Sequence, residues 1–158
     1  MTPHDAPETV VCVAAVVRQD DRILLVRQSP GHSLAGQWTE PWGRLEPGES
    51  PGAAVLREVR EEGGVDAAVD GLLGVQVLPP PWRNWIALVY LCHHVNGTPA
   101  PRDEETDAAA YYSLEELDRL GEPAEPWSDW LARRVFAGRF TLTASDSSNP
   151  LLHADTYL

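Results

Sequence analysis

The sequence predicts one α/β domain in which helices pack against a mixed β-sheet. β-rich segments and helix-like segments alternate along the chain, which is typical of that layered class. The 158 residues, 43% of them apolar, suffice for one sizeable core. We expect this domain to span residues 9–140, after a flexible lead-in over 1–8 and before a tail over 141–158 that the pattern does not place.

The first part of the chain is predicted to contain three strands and then a helix. Runs of β-branched and aromatic residues predict the strands, and a polar turn joins the first two; they are Val10–Arg18, Arg22–Gln28 and Trp38–Trp42. The helix follows Ser50, a suitable N-cap, because Pro51 fits the first helical position. Gly63 and Gly64 end this helix.

The second part of the chain is predicted to contain three further strands and two helices. The strands are Val69–Leu78, Trp85–Val95 and Ala108–Tyr112. Ser113 and Glu116 form a capping-box pattern that starts a helix over Ser113–Leu120, and Pro126–Phe136 is predicted as the second helix. The apolar residues of the helix over Trp127–Phe136 and the tail Asn149–Leu158 pack either on their own domain or, in a homodimer, on a second subunit. The sequence leaves both arrangements open.

Composition excludes several classes of partner. A net charge of −12 argues against nucleic acid or an anionic membrane as the main partner. The longest apolar runs, Val10–Val17 and Ile86–Cys92, are too short to span a bilayer. The N-terminus lacks the basic start and apolar core of a secretion signal, and Cys12 and Cys92 form no disulfide framework, so we expect a cytoplasmic protein.

A cluster of glutamates is the main candidate for chemistry. Glu58, Glu61 and Glu62 follow i, i+3 and i+4 spacing and therefore share one helix face, and Glu49 lies in the Gly/Pro loop before that helix. Carboxylates so close together repel one another, and a divalent cation would neutralise them. A short E-x-x-E-E run alone is more often a solvated helix face.

The glutamates belong to a longer pattern, G-x5-E-x7-R-E-V-x-E-E-x-G-V, which runs from Gly43 to Val65. This pattern resembles the signature of the Nudix hydrolases at every specified position. The resemblance implies an α/β/α sandwich that requires Mg²⁺ or Mn²⁺. It also implies hydrolysis of a nucleoside diphosphate linked to another moiety, by attack of water on one phosphorus.

The resemblance also assigns roles to individual residues. It implies metal binding by the carboxylates and by a backbone carbonyl in the glycine turn, and one of the glutamates acts as the general base, usually at the position of Glu58. It further implies that Arg57 orients a neighbouring glutamate. The implied metal set is Glu58, Glu61, Glu62, Glu49 and Gly43, and the implied catalytic set is Glu58, Arg57 and Glu61.

Candidates for contact with the substrate lie around this pattern. Trp42 stands where many family members have a glycine, so it either lines or crowds the pocket. Arginines pair with phosphate through two hydrogen bonds, and an acidic loop near the last strand can add a carboxylate. These further candidates are Arg44, Arg27, Arg83 and Glu105. Surface solvation explains Arg44 equally well, a solvated loop is the more common explanation for Glu105, and burial in the core is the more common one for a tryptophan.

The substrate is only weakly indicated. Pro81 lies about sixteen residues beyond the pattern, a position at which ADP-ribose pyrophosphatases often carry a proline, and this favours a nucleoside diphosphate sugar such as ADP-ribose. Hydrolysis of (d)NTPs is the alternative. Two further possibilities share the fold: a non-catalytic nucleotide-binding module, and an isomerase of isopentenyl diphosphate for which Cys92 would be the thiol.

Overall fold

The structure, a computed structural model, describes residues 8–80, 82, 84–150 and 155–158. The predicted lead-in therefore lies almost entirely outside the described residues. The strands are β1 (Val10–Gln19), β2 (Arg22–Gln28), β3 (Trp38–Thr39), β4 (Trp42–Arg44), β5 (Asp66–Val77), β6 (Trp85–Asn96) and β7 (Thr106–Tyr112). The helices are α1 (Pro51–Glu58), α2 (Leu114–Asp118) and α3 (Pro126–Phe136).

One seven-stranded sheet organises the domain around β1. β1 runs parallel to β6, with Val10 opposite Trp85 and Arg18 opposite His93. It runs antiparallel to β2 and β4, while β5 pairs antiparallel with β6, and both β3 and β7 pair antiparallel with β2. The parallel pair within an otherwise antiparallel sheet confirms the predicted mixed sheet.

Alternate residues of the central strands bury two separate cores, one on each face of the sheet. One core packs against α1 and includes Val13, Ala15, Val17, Leu24, Val55 and Val59. The other packs against α2 and α3 and includes Val16, Ile23, Leu25, Leu91, Leu117, Leu131 and Val135. The helices therefore cover both faces, and the predicted α/β class with helices on either side of the sheet is confirmed.

The strand predicted over Trp38–Trp42 is wrong in one respect, because it is two short strands. β2 pairs with β1 only near the hairpin, at Arg18 and Gln19, so the edge of β1 farther from the turn is open to β4. β3 pairs instead with β2. Glu40 and Pro41 lie at the break between them, where the chain moves from one strand edge to the other, and Glu40 becomes buried there.

The helix predicted after Ser50 also changes character before its end. Ser50 Oγ accepts a hydrogen bond from the Ala53 N–H at 3.2 Å, and Pro51 begins the helix, as predicted. From Val59 to Gly63 the chain forms a π-helical turn, and Gly64 ends it with φ = +71°. The wider turn alters the spacing of the side chains on it, so Glu58, Glu61 and Glu62 do not follow α-helical spacing throughout.

The C-terminal elements pack on the same domain. The capping box of Ser113 and Glu116 is present, although α2 is shorter than the predicted helix. α3 packs on the sheet through its buried apolar residues. In the tail, Thr143 pairs with Leu72, and the Tyr157 ring contacts the Tyr90 ring edge-on at 5.8 Å. In the described part of the chain, no helix is long and apolar enough to cross a membrane.

Candidate active site

A cavity of about 890 Å³ opens where β4, the Gly/Pro loop after it and α1 meet. Eight of the eleven site residues predicted from the sequence line it, and they come from segments on both sides of the loop. These eight are Trp42, Gly43, Arg44, Glu49, Arg57, Glu58, Glu61 and Glu105. The fold therefore gathers acidic, basic and aromatic side chains at one opening.

Arg57 lies at the centre of the glutamate cluster. Its Nε and Nη2 donate to the two carboxylate oxygens of Glu49 at 2.9 and 3.1 Å. Its Nη1 donates to Glu58 Oε1 at 2.7 Å and to Glu61 Oε2 at 3.1 Å. The planar guanidinium thus fixes three carboxylates at once, and its hydrogen bonds hold the pKa of Glu49 below its usual value.

Glu58 is buried directly against Gly43. Its exposed fraction is 5%, and burial raises its pKa to about 7 although the Arg57 charge opposes the rise. A Cβ added at Gly43 would overlap the Glu58 carboxylate and lie 2.6 Å from Oε2. Only glycine therefore allows the backbone of β4 to approach this carboxylate so closely.

Glu62 lies deeper than the other glutamates, with an exposed fraction of 1%. Its Oε2 accepts a hydrogen bond from the Trp42 backbone N–H at 2.8 Å. Its Oε1 has no partner among the described residues, and burial raises its pKa well above the usual value. An unpartnered buried carboxylate oxygen is costly, which makes it a good candidate to bind a cation.

This set of donors suits a hard divalent cation. Among the residues that the structure describes, no three acidic, histidine or cysteine side chains are grouped as ligands of one ion. The Arg57 guanidinium, and not a metal ion, neutralises Glu49, Glu58 and Glu61 in this arrangement. Mg²⁺ is commonly held by one or two carboxylates together with waters and substrate phosphates, not by a closed protein cage. The unpartnered oxygen of Glu62 and the buried Glu58 fit that mode of binding.

Arg44 is a second arginine in the wall of the cavity. Its guanidinium carbon lies 4.7 Å from the centre of the Trp85 ring, an arrangement that holds the side chain by a cation–π contact. It forms no ion pair with the carboxylates of the described part of the chain. Glu105 also lines the cavity and is exposed.

Two of the other predicted candidates, Arg27 and Cys92, are not brought to this cavity. Arg27 pairs with Asp107 at 2.7 Å and with Glu122 at 2.9 Å, and it does not line the opening. Arg83 and Pro81 lie outside the described residues. Cys92, the thiol that an isomerase would need, is fully buried in the core beside α1.

A second cavity, of about 250 Å³, shares Trp42 with the first. Its lining includes Glu40, which the sequence analysis missed. Glu40 is 1% exposed, and burial raises its pKa to about 7. The signal that could have identified it is a lone acidic residue between two nearby tryptophans, Trp38 and Trp42.

Comparison with known proteins relates this site to one family. The family model described as "NUDIX domain" matches residues 7–131. An 8-oxo-dGDP phosphatase of Homo sapiens is 33% identical over 102 residues, which cover 65% of this chain and 31% of that protein. An ADP-ribose pyrophosphatase of Methanocaldococcus jannaschii is 30% identical over 112 residues, covering 70% of this chain and 65% of the relative.

A solved structure agrees with these relatives. A NUDIX hydrolase from Nitrosomonas europaea matches with a TM-score of 0.71 and 29% identity, over 85% of this chain and 93% of that one. The chain spans about a third of the length of the human relative. The similarity to the human protein is therefore limited to one part of that longer protein.

Proposed function

The chain belongs to the NUDIX family, and from this premise we propose that it is a divalent-metal-dependent pyrophosphohydrolase. One observation carries the proposal. Gly43, Arg57, Glu58 and Glu61 meet at a single cavity, and Glu62 lies behind its wall, where Oε2 accepts from the Trp42 backbone N–H and Oε1 has no partner among the described residues. Such an arrangement is suited to a cation and a pyrophosphate.

The metal would be held by the carboxylates of the cluster. Glu58, Glu61 and Glu62, with the backbone carbonyl of Gly43, supply the hard oxygen ligands that Mg²⁺ or Mn²⁺ prefers, and Glu49 would act through water or on a further ion. When bound, the ion supplies positive charge that stabilises the negative charge developing on the phosphate oxygens. This charge also offsets the repulsion between an anionic substrate and an acidic protein.

Two protein residues, Glu58 and Arg57, serve the attack of water on the pyrophosphate. Water attacks one phosphorus of the pyrophosphate, a new P–O bond forms, and the bond to the bridging oxygen breaks. Glu58 would accept the proton of that water, since its carboxylate lies against Gly43 at the cavity and a carboxylate within reach of the water can act as a general base. Arg57 positions Glu58 through the 2.7 Å contact to Oε1.

Arg44 and Glu105 act on the substrate. Arg44 is held over Trp85 at the opening and would pair with a phosphate, because its guanidinium can donate two parallel hydrogen bonds. Glu105 faces the same cavity and would add a carboxylate near the water.

We infer that the substrate is a nucleoside diphosphate linked to another moiety. The relative from M. jannaschii is named for ADP-ribose, and this agrees with the slight preference for nucleoside diphosphate sugars that the sequence indicates. The human relative is named for 8-oxo-dGDP, so a nucleotide without a second moiety, including a (d)NTP, remains the alternative.

The test is a hydrolysis assay with a panel of substrates. The purified protein is incubated in ¹⁸O-labelled water with Mg²⁺ or Mn²⁺ and with ADP-ribose, other nucleoside diphosphate sugars, or dNTPs. We expect two phosphate-ended products from the preferred substrate, with one ¹⁸O atom in one product, and no turnover when a chelator is added. Absence of turnover with both ions across the panel would contradict the proposal.

A further inference from the structure

The second cavity has a wall that differs from that of the first. It is mainly apolar and aromatic, and it includes Trp42, Trp82, Trp127, Leu34 and Leu78. It lies next to the glutamate cavity, since Trp42 lines both. A ligand that spans the two would therefore place a flat apolar ring in one and its charged groups in the other.

Two buried polar atoms in this wall lack partners. Glu40 Oε1 and Trp42 Nε1 form no hydrogen bond with any residue of the described ranges. In contrast, Trp127 Nε1 in the same wall donates to Gln76 Oε1 at 3.2 Å. Only one other buried side-chain atom in the described ranges lacks a partner, and it belongs to Glu62 in the candidate active site. Buried polar groups are rarely left unpaired, so a pair of them lining one cavity indicates a ligand.

We propose that this cavity binds the nucleobase of the substrate, whose N–H group donates to Glu40 Oε1 and whose ring nitrogen or carbonyl oxygen accepts from Trp42 Nε1. The inference rests on the proposed function, because it assigns one end of the same substrate. It makes Glu40 and Trp42 the residues that determine base specificity.

The size of the cavity agrees with a single ring system. Pockets that enclose a whole ligand usually measure about 300–1,000 Å³, and this one measures about 250 Å³. The sugar and the diphosphate must therefore extend past Trp42, towards Arg44 and the glutamates. Aromatic rings in the wall supply faces on which a flat base stacks.

The electrostatics of Glu40 also favour a donor from the ligand. Burial disfavours its charged form, a hydrogen bond with the Ser128 side chain only partly opposes this, and the nearby charges of Glu125 and Asp129 add to the rise in pKa. A ligand N–H at Oε1 would stabilise the carboxylate where no side chain in the described ranges does. Trp42 supplies the matching donor, which a glycine at that position would lack.

The test compares bases that differ in their hydrogen-bonding edge. Binding of GMP, AMP, UMP and purine riboside 5′-monophosphate is measured by isothermal titration without divalent metal, because the base of the last compound has ring acceptors but no N–H donor. We expect the preferred nucleotide to bind at least about 10-fold more tightly than purine riboside 5′-monophosphate.

Two variants locate this preference in the cavity. Glu40→Leu removes the acceptor and should reduce the preference to about two-fold or less. Trp42→Phe removes the indole donor but keeps an aromatic face, so it should weaken the binding of all the nucleotides, purine riboside 5′-monophosphate included, by about five-fold. Matched controls are Glu115→Gln and Trp130→Phe, at exposed positions outside this cavity, and they should keep the wild-type preference. Circular dichroism establishes that each variant is folded.

The outcomes separate this inference from the proposed function. Equal binding of all four nucleotides by the wild-type protein, binding of none, an unchanged preference in folded Glu40→Leu, or wild-type affinities in folded Trp42→Phe would overturn it. Hydrolysis by a wild-type protein that shows no base preference would overturn the inference alone. A base preference that persists in a protein without turnover would support the cavity and contradict the proposed reaction.

Discussion

Gly43→Ala tests how closely the backbone must approach Glu58. The added Cβ would overlap Oε1 and Cδ of Glu58 and lie 2.6 Å from Oε2, whereas ordinary contacts begin near 3.4 Å. The carboxylate must therefore retreat by more than about 1 Å, and it cannot do so easily, because it is 5% exposed and held by Arg57.

A displacement of that size at a catalytic group costs about 100-fold in rate. We expect kcat/KM for the preferred nucleotide to fall by about that factor, with a loss of about 1–3 kcal/mol in the free energy of unfolding from overpacking. Gly121→Ala is the matched control, since a Cβ there meets nothing within 4 Å. Steady-state kinetics and urea denaturation measure both quantities. Wild-type kcat/KM in folded Gly43→Ala would refute the reasoning.

Three further predictions concern stability. The pKa of Glu40 is raised from 4.5 to about 7 in the folded protein, so the unfolded carboxyl ionises first and the wild type loses stability as pH rises through that range. In urea denaturation, the free energy of unfolding of Glu40→Gln should therefore rise by about 3 kcal/mol relative to that of the wild type between about pH 4 and about pH 8. A difference that stays constant over this pH range would contradict the prediction. Gly64→Ala and Gly48→Ala both force alanine into positive φ, but only the Cβ at position 64 would overlap the Ala100 carbonyl oxygen. Thermal unfolding should therefore show that Gly64→Ala loses about 1–3 kcal/mol more stability than Gly48→Ala. Equal losses in the two variants would contradict a clash at Ala100. Arg57→Lys loses the paired hydrogen bonds of the guanidinium and should lower the free energy of unfolding by about 1–3 kcal/mol. An unchanged urea denaturation curve would mean that a positive charge without these hydrogen bonds is enough to stabilise the carboxylates.

Local signals predicted most of the fold. The start of α1 at Ser50 and Pro51 and the capping box at Ser113 depend only on residues three positions away, and both were found as expected. The family pattern likewise places Glu49, Glu58 and Glu61 at one cavity, because its residues lie on a single loop and helix.

Features that depend on distant contacts were not predicted. The break at Glu40 and Pro41 arises because β2 leaves the edge of β1 open to β4. No local sequence pattern indicates this pairing. The π-helical turn after Glu58 has no recognised local signal in the sequence. Glu40 became a candidate only when the fold brought Ser128, at the start of α3, against it.

The same reasoning explains why the structure gathers the candidates for substrate contact less completely than the candidates for metal binding. Arg27 meets partners about 80 and 95 residues away, and these pairings direct it away from the cavity. Arg44 adjoins Gly43, so its place followed from the pattern itself. Glu105 lies well beyond the pattern in the chain and still lines the cavity, so its place, like that of Arg27, depends on contacts that no local pattern specifies.

The most direct test of the metal-dependent reaction is the turnover of Glu58→Gln and Glu62→Gln with Mg²⁺ or Mn²⁺. Each substitution keeps the size of the side chain but removes an anionic ligand, so both variants should remain folded by circular dichroism and lose at least about 100-fold in kcat. Glu115→Gln, at an exposed ion pair, should keep the wild-type rate. Wild-type turnover in both folded variants would contradict the assignment of these glutamates to the metal and to catalysis.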